Sequence, residues 1–310
     1  MLKLTRTAIA ASLLVLSPIA SPAHAQPTRV FVAAQGSDGN PCTFALPCRT
    51  FQHAHDVVAA KGEIDVLDPA GYGALTITKS ISIQGHDFAG ISVSASQNGI
   101  IINAGASDRI SLRGLLIDGA GAGSTGILFQ AGGSLIVENC VVRNLLSTGI
   151  GLAPTAAAKI AVSNTLLAEN NGNGAYLLPS GTNIGTVYAV FNHIQAYHNG
   201  QHGIAILGNS LVGGSFARVV VVDSVAGYND NGIYASSNGF GNIVVRLFRS
   251  TTIGNHSGVR AENGASVVVS QSNVEDDTWS AATNGCVSSY GDNYTDSEPV
   301  PSGCSTYSTH

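Results

Sequence analysis

Charge is scarce in this chain. Lysine and arginine total 14, aspartate and glutamate 19, and charged residues make up 11% of the 310 positions. No run of basic residues occurs, which argues against nucleic acid or an anionic membrane surface as a partner. Long apolar runs are missing too. After residue 25 nothing approaches the roughly 18 uninterrupted apolar residues of a spanning helix, so no membrane span is expected in the mature chain. Cysteine is limited to five residues, and no Cys/His spacing reads as a zinc site. Glycine, at 37 residues, is abundant. That balance fits an all-β solenoid whose polarity rests on Ser, Thr, Asn and Gly; it would be odd for a helical globular enzyme.

Residues 1–25 read as a signal peptide. Lys3 and Arg6 form a positive start, Ala8 to Ala20 an apolar stretch, and Ala23-His24-Ala25 a small-residue cleavage site. The expected mature chain is exported, secreted or periplasmic, with 12 basic residues against 19 acidic. An acidic chain without basic patches suits a neutral glycan better than an acidic one. Cysteines in an exported chain point to disulfides. The simplest pairing joins Cys42 to Cys48 and Cys286 to Cys304 and leaves Cys140 a buried free thiol, although the sequence leaves other pairings open.

The main positive signal is repetition. Eight apolar pairs recur with two-residue alternation: Ile81/Ile83, Ile110/Leu112, Leu135/Val137, Ile160/Val162, Tyr188/Val190, Val219/Val221, Val245/Leu247 and Val267/Val269, at steps of 22 to 31 residues. Each is followed by a glycine that leads a second apolar pair: Gly99, Gly126, Gly149, Gly174, Gly203, Gly232, Gly258 and Gly285. Self-similarity at this period means stacked units that bury their apolar faces on one another, and alternation makes the segments strands. The expected fold is all-β, a right-handed parallel β-helix of about eight coils over residues 63–288. Residues 26–62 are read as an N-terminal cap, with a strand at Val30-Phe31-Val32 and a capping helix from Phe51 to Ala60 after the N-cap Thr50, stopped by Gly62. Residues 289–310 are read as a loose tail. Two residues after each pair stand Gly85, Gly114, Asn139, Asn164, Asn192, Asp223, Arg249 and Gln271. Further on, Asn144, Asn170, His198, Asn229 and Asn255 predict an internal asparagine ladder with His198 as one rung.

Two stretches carry a resemblance. Val32-Ala33-Ala34-Gln35-Gly36-Ser37-Asp38-Gly39-Asn40-Pro41 with Arg49-Thr50-Phe51, and Leu75-Thr76-Ile77-Thr78-Lys79-Ser80-Ile81-Ser82-Ile83-Gln84-Gly85, resemble the start of secreted right-handed parallel β-helix proteins of the pectin-lyase-like superfamily. The resemblance implies the fold. It implies little chemistry, because that superfamily holds lyases, hydrolases, esterases, epimerases and proteins without known activity.

The catalytic signatures of that superfamily are missing here. No Arg-Ile-Lys follows Asp276-Asp277 and His202-Gly203, no arginine has proline two residues on, and Asp68-Pro69 continues as Ala70-Gly71 rather than His-Asp. The remaining acid–base candidates are Glu169, Asp223, Asp230, His198 and His202. Asp223 and Arg249 share one offset on successive coils and should form a structural ion pair; Glu169 and Asp230 read as solvated turn residues. No cofactor is expected. Calcium has weak support in Glu275, Asp276 and Asp277 with Asp292 and Asp296, which lack a fixed loop spacing. His193, His198 and His202 read as ladder and turn residues rather than as a metal cluster.

Aromatic residues on the outer surface offer a different function. Tyr176 and Tyr234 each stand two residues after a repeat glycine, and Tyr197 and Tyr228 share an offset. Such rings stack on sugars while keeping a polar tip in water. Phe191, Val222 and Phe248 are predicted to form an outward stripe suited to a protein partner. Three readings follow. A lateral face engages a polysaccharide or envelope glycan without evident catalysis; a lyase or glycoside hydrolase uses an unrecognised site; or the chain is a structural or adhesive envelope protein.

Overall fold

The computed structural model describes residues 25–182, 184–208, 210–212, 215–237, 243–275 and 278–295. The chain winds into a parallel β-helix with three walls. The first wall carries the strands Ile81–Ser92, Arg109–Asp118, Ser134–Glu138, Lys159–Ser163, Thr186–Asn192, Phe216–Val222, Ile243–Phe248 and Ser266–Ser270. The second consists largely of three-residue strands, from Val141–Arg143 through Leu166–Ala168, Gln195–Tyr197, Val225–Gly227 and Thr251–Ile253 to Asn273–Glu275. The third is a nine-stranded sheet that starts at Leu75–Ile77 and ends at Trp279–Ala282. Neighbouring strands of each wall pair in parallel, so each coil advances by one strand spacing, about 4.8 Å.

All eight repeat pairs lie on first-wall strands, and inward residues stack coil upon coil. Leu112, Val137, Val162, Phe191, Val221, Leu247 and Val269 are paired in one column, and each is at most 1% exposed. The repeat glycines have a steric cause. At Gly149, Gly174 and Gly203 a Cβ would stand 2.6 to 2.8 Å from the carbonyl oxygen of the next coil's glycine, so only glycine lets the coils close to strand spacing. Gly285 is the exception. It precedes Cys286–Ser289, a first-wall strand, and the eighth coil reaches the third wall through Trp279–Ala282 instead.

The first bend is made by single left-handed residues: Gly114, Asn139, Asn164, His193, Asp223, Arg249 and Gln271, with φ between 45° and 65°. The second uses Asn144, Glu169, His198, Tyr228 and Gly254, with φ between 52° and 64°. Asparagine and glycine suit that conformation; His, Asp, Arg, Glu and Tyr adopt it because stacking of neighbouring coils fixes the backbone.

In the fifth coil the predicted register is off by one. Ala189 and Phe191 point inward, whereas Tyr188 and Val190 are 53% and 40% exposed. Val187-Tyr188-Ala189-Val190-Phe191 is apolar at both parities, so alternation alone cannot choose a face. Phe191 pairs with Val162 and Val221 in the core and is not part of an outward stripe; Val222 and Phe248 do face outward on neighbouring strands. The same shift moves the bend from Asn192 to His193 and the ladder rung from His198 to Asn199. The ladder runs Asn170, Asn199, Asn229, Asn255, linked amide to amide at 2.9, 3.0 and 3.0 Å. Asn144 is outside it, at the bend, donating to Asp118. A second ladder, unforeseen in the sequence, joins Ser224, Ser250 and Ser272, each hydroxyl accepting the backbone N–H of the coil before.

The cap is as expected in kind. Thr50 accepts from the His53 N–H, and the helix runs Phe51–Val57 with Phe51, Ala54 and Val58 buried. It stops three residues early, because Gly62 already belongs to the strand Gly62–Val66, which pairs with Arg29–Val32. Cys42 and Cys48 form a disulfide, and Cys140 is free and buried. Cys286 is disulfide-bonded; its expected partner Cys304 lies outside the described residues. Residues 289–295 are not loose throughout, since Tyr294–Thr295 pairs with Asn273–Glu275. Among the described residues no helix is long and apolar enough to cross a membrane.

Candidate functional site

The third wall and the bend that leads into it gather four of the sequence candidates, Tyr176, Tyr234, His202 and Asp230. The outward row of the wall reads Gly151, Tyr176, Ala205, Tyr234, Arg260, so Tyr176 and Tyr234 stand two coils apart, as expected. Tyr176 lies over Gly151, with its hydroxyl oxygen 2.8 Å and ring atoms 2.9 and 3.2 Å from where a Cβ would be. Tyr234 stacks on His202, ring centres 4.3 Å apart at 23°, and its hydroxyl donates to Glu262 Oε2 at 2.7 Å. Arg260 clamps the other oxygen of Glu262 with Nε at 2.7 Å and with Nη2. Asn231 Nδ2 donates to Asp230 Oδ2 at 2.8 Å and contacts His202 Nδ1 at 3.0 Å. A donor on Nδ1 leaves the ring proton on Nε2.

The electrostatics follow from that packing. Burial lowers the pKa of His202, against a smaller raising effect of Asp230, so the imidazole is neutral. Burial raises the Tyr234 phenol, and its bond to Glu262 adds to this. The Tyr234 hydroxyl and Arg260 hold Glu262 below the usual carboxylate range. Arg260, Glu262 and Asn231 were missed in the sequence because no motif links them; only the coil pairing Tyr234 with Arg260 brings them together.

The other candidates disperse. His198 stacks on Tyr228, ring centres 5.0 Å apart at 11°, at the corner between the second and third walls. Tyr197 pairs with Gly227, so Tyr228 shares its position with His198 rather than with Tyr197. The four tyrosines therefore occupy two faces. Asp223 and Arg249 form the expected pair, bidentate at 2.7 Å, and that bond lowers the Asp223 pKa. Glu169 is an exposed bend residue. His193 bonds Asn192 at the first bend, so the three histidines lie at separate positions. Of the calcium candidates, Asp292 accepts from Ser270 and the Gln271 N–H, and Asp276, Asp277 and Asp296 lie outside the described residues.

The first wall holds an arrangement invisible in the linear sequence. One outward row reads Arg109, Ser134, Lys159, Tyr188, Arg218. Lys61 extends it by two coils, since it precedes Gly62 as Arg109 precedes Ile110, and Gly62 pairs with Ile81 and Ile81 with Ile110. Basic side chains thus recur on alternate coils, about 10 Å apart. All four are exposed, and none forms a salt bridge with a described residue. Beside them runs an outward apolar row of Ile136, Ala161, Val190 and Val220. An open groove of about 700 Å³ between Lys61, Asp108, Arg109, Ser134 and Ile136 lies at the N-terminal end of this face.

A family model, "Right handed beta helix region", matches residues 63–212. This chain is a right-handed parallel β-helix. Its fold agrees with the one implied by the resemblance of the stretches at 32–51 and 75–85 to the pectin-lyase-like superfamily. The β-helix is similar to the crystal structure of pectate lyase Pel9A, with a TM-score of 0.63 at 16% identity, covering 87% of this chain and 78% of that one. A rhamnogalacturonan lyase gives a TM-score of 0.49 at 14% identity, covering 81% and 74%. The A-module of the Azotobacter vinelandii mannuronan C-5 epimerase AlgE6 gives 0.40 at 13% identity, covering 87% and 81%. None of the curated proteins matches the sequence. At these identities the likeness extends to the fold alone.

Proposed function

We propose that this β-helix binds an extended acidic polysaccharide along its first wall, parallel to the helix axis, in an exported setting compatible with the Cys42–Cys48 disulfide. The observation that carries the reading is the row Lys61, Arg109, Lys159, Arg218. A linear polymer with regularly placed carboxylates meets evenly spaced, exposed cations, and the adjacent Ile136, Ala161, Val190 and Val220 offer an apolar strip to the faces of its rings. Cations that form no salt bridge with a described carboxylate stay available to a ligand, and Asp108 attracts Lys61 only at longer range. The named substrate of the pectate lyase of similar fold is an acidic glycan, in keeping with this choice. It replaces the neutral glycan suggested by composition: the basic residues are dispersed in the sequence and aligned only by coiling. The reading assigns binding and no reaction.

The test is calorimetric titration with polygalacturonate and with neutral dextran, for the native chain and for a triple variant Arg109→Ser, Lys159→Ser, Arg218→Ser. Tighter binding of polygalacturonate, weakened about tenfold or more in the variant and by added salt, is expected from loss of three charge contacts. Equal affinity in the variant, or no preference over dextran, would overturn the reading.

A further inference from the structure

The third wall carries polar groups that the fold itself leaves unmet. Its first row runs Asn173, His202, Asn231, Ser257, coil on coil: His202 pairs with Asn231 and Asn231 with Ser257, and Asn173 precedes Gly174 as His202 precedes Gly203. The side-chain oxygens of Asn173 and Asn231, on either side of His202, are both buried and accept no hydrogen bond from the described residues. Asn231 is 2% exposed. Its amide cannot be turned to hide the oxygen, because Nδ2 faces the Asp230 carboxylate at 2.8 Å. A buried acceptor without a donor is costly in a folded protein unless a ligand supplies the donor.

Around these acceptors stand groups suited to one kind of ligand. Tyr176 lies over Gly151 and Tyr234 against His202, with the small, fully covered Ala205 between the two tyrosines in the row. A half-buried neutral imidazole bears a proton on Nε2, and the planar Glu262–Arg260 pair adds acceptors and donors at the C-terminal edge. Apolar ring faces next to planar hydrogen-bonding groups complement a pyranose, whose C–H faces stack while its hydroxyls donate and accept. Arg260 is matched by Glu262 and the Asp230 carboxylate meets the neutral Asn231 amide, which disfavours an anionic sugar and separates this face from the first wall.

We propose that Tyr176, His202, Asn231, Tyr234, Arg260 and Glu262 form a second carbohydrate site, on the third wall, for an uncharged pyranose of an oligosaccharide or side branch. Hydroxyls of that sugar donate to Asn173 Oδ1 and Asn231 Oδ1, and rings of the oligosaccharide stack on both Tyr234 and Tyr176. The site is independent of the acidic-polymer face.

The experiment titrates the native chain with cellohexaose, mannohexaose and xylohexaose, following the His202 imidazole by long-range proton–nitrogen NMR and measuring affinity by calorimetry. At least one hexaose should bind with a shift of the His202 signals. Tyr234→Ala and Tyr176→Ala should each weaken it about three- to tenfold, the loss expected for one stacked ring. The first-wall triple variant should bind it as the native chain does. No binding of any of the three at millimolar concentration, or binding that leaves His202 unmoved, would overturn the proposal. So would affinity unchanged in Tyr176→Ala, which removes a ring with no hydrogen-bonded partner among the described residues and so preserves the fold even where Tyr234→Ala does not.

Discussion

At the scale of single residues, the strongest demands are polar and internal. Asn229 donates through Nδ2 to the Ala196, Gly227 and Asn255 oxygens and accepts at Oδ1 from the backbone and side chain of Asn199. It is 6% exposed. Asn229→Ala strands several of these partners, and equilibrium urea unfolding should show a loss of about 2–4 kcal/mol. Asn144→Ala, whose amide meets a surface-facing Asp118, should cost well under half of that. His202 supplies a second residue-scale expectation. Its folded pKa is depressed by burial, so the unfolded chain binds its proton more readily. Its contribution is complete above the ordinary histidine value of about 6.5 and is lost as pH falls below it. Glu262, Asp108 and Asp118 are depressed carboxylates whose contributions disappear further into acid. Melting curves from pH 7.5 to 5.5 should therefore fall, and His202→Asn should flatten that segment while leaving the steeper loss below about pH 4.5 in place.

At the scale of strands and coils, parity decides everything. Val162 and Val221 were identified as inward from alternation, and they are fully buried. The strand Thr186–Asn192 between them defeated the same rule because both its faces are apolar. Phe191 fills the core column between Val162 and Val221. Phe191→Ala should open a cavity there and cost about 3–5 kcal/mol in denaturant unfolding, whereas Val190→Ala on the opposite face should stay within about 0.5 kcal/mol. A reversed order of these two losses would restore the register read from the sequence. The Phe51–Val57 helix shows the converse case, where local signals suffice: Thr50 caps it through a bond to the third residue on, and its apolar face was legible from spacing.

At the scale of the whole molecule, function is a matter of length. A row of cations on alternate coils gains from a ligand that reaches several of them at once, since each further contact is intramolecular. Affinity for oligogalacturonates should rise steeply from the disaccharide until the oligomer spans from Lys61 to Arg218, about 30 Å over six coil spacings, and then level off. Microscale thermophoresis across a size series checks this; affinity independent of length would show that the row does not act as one site.

The sequence by itself determined the solenoid, its capped start, the Asp223–Arg249 pair and the shared row of Tyr176 and Tyr234, and it made the Cys42–Cys48 bridge with a free Cys140 the simplest pairing. These are legible because each rests on short-range spacing or on a strict repeat: alternation, a glycine forced by coil contact, cysteines six apart, equal offsets within regular coils. Tertiary structure decided the rest. Asn199 rather than His198 became the ladder rung, and Phe191 turned inward, because bend position within one irregular coil depends on contacts with the coils above and below. The two polar faces depended on tertiary structure as well. Lys61, Arg109, Lys159 and Arg218 are separated by tens of residues, as are His202, Tyr234 and Glu262. Only stacking at a fixed strand spacing turns such separations into rows, and a row has no trace in the linear order of the chain.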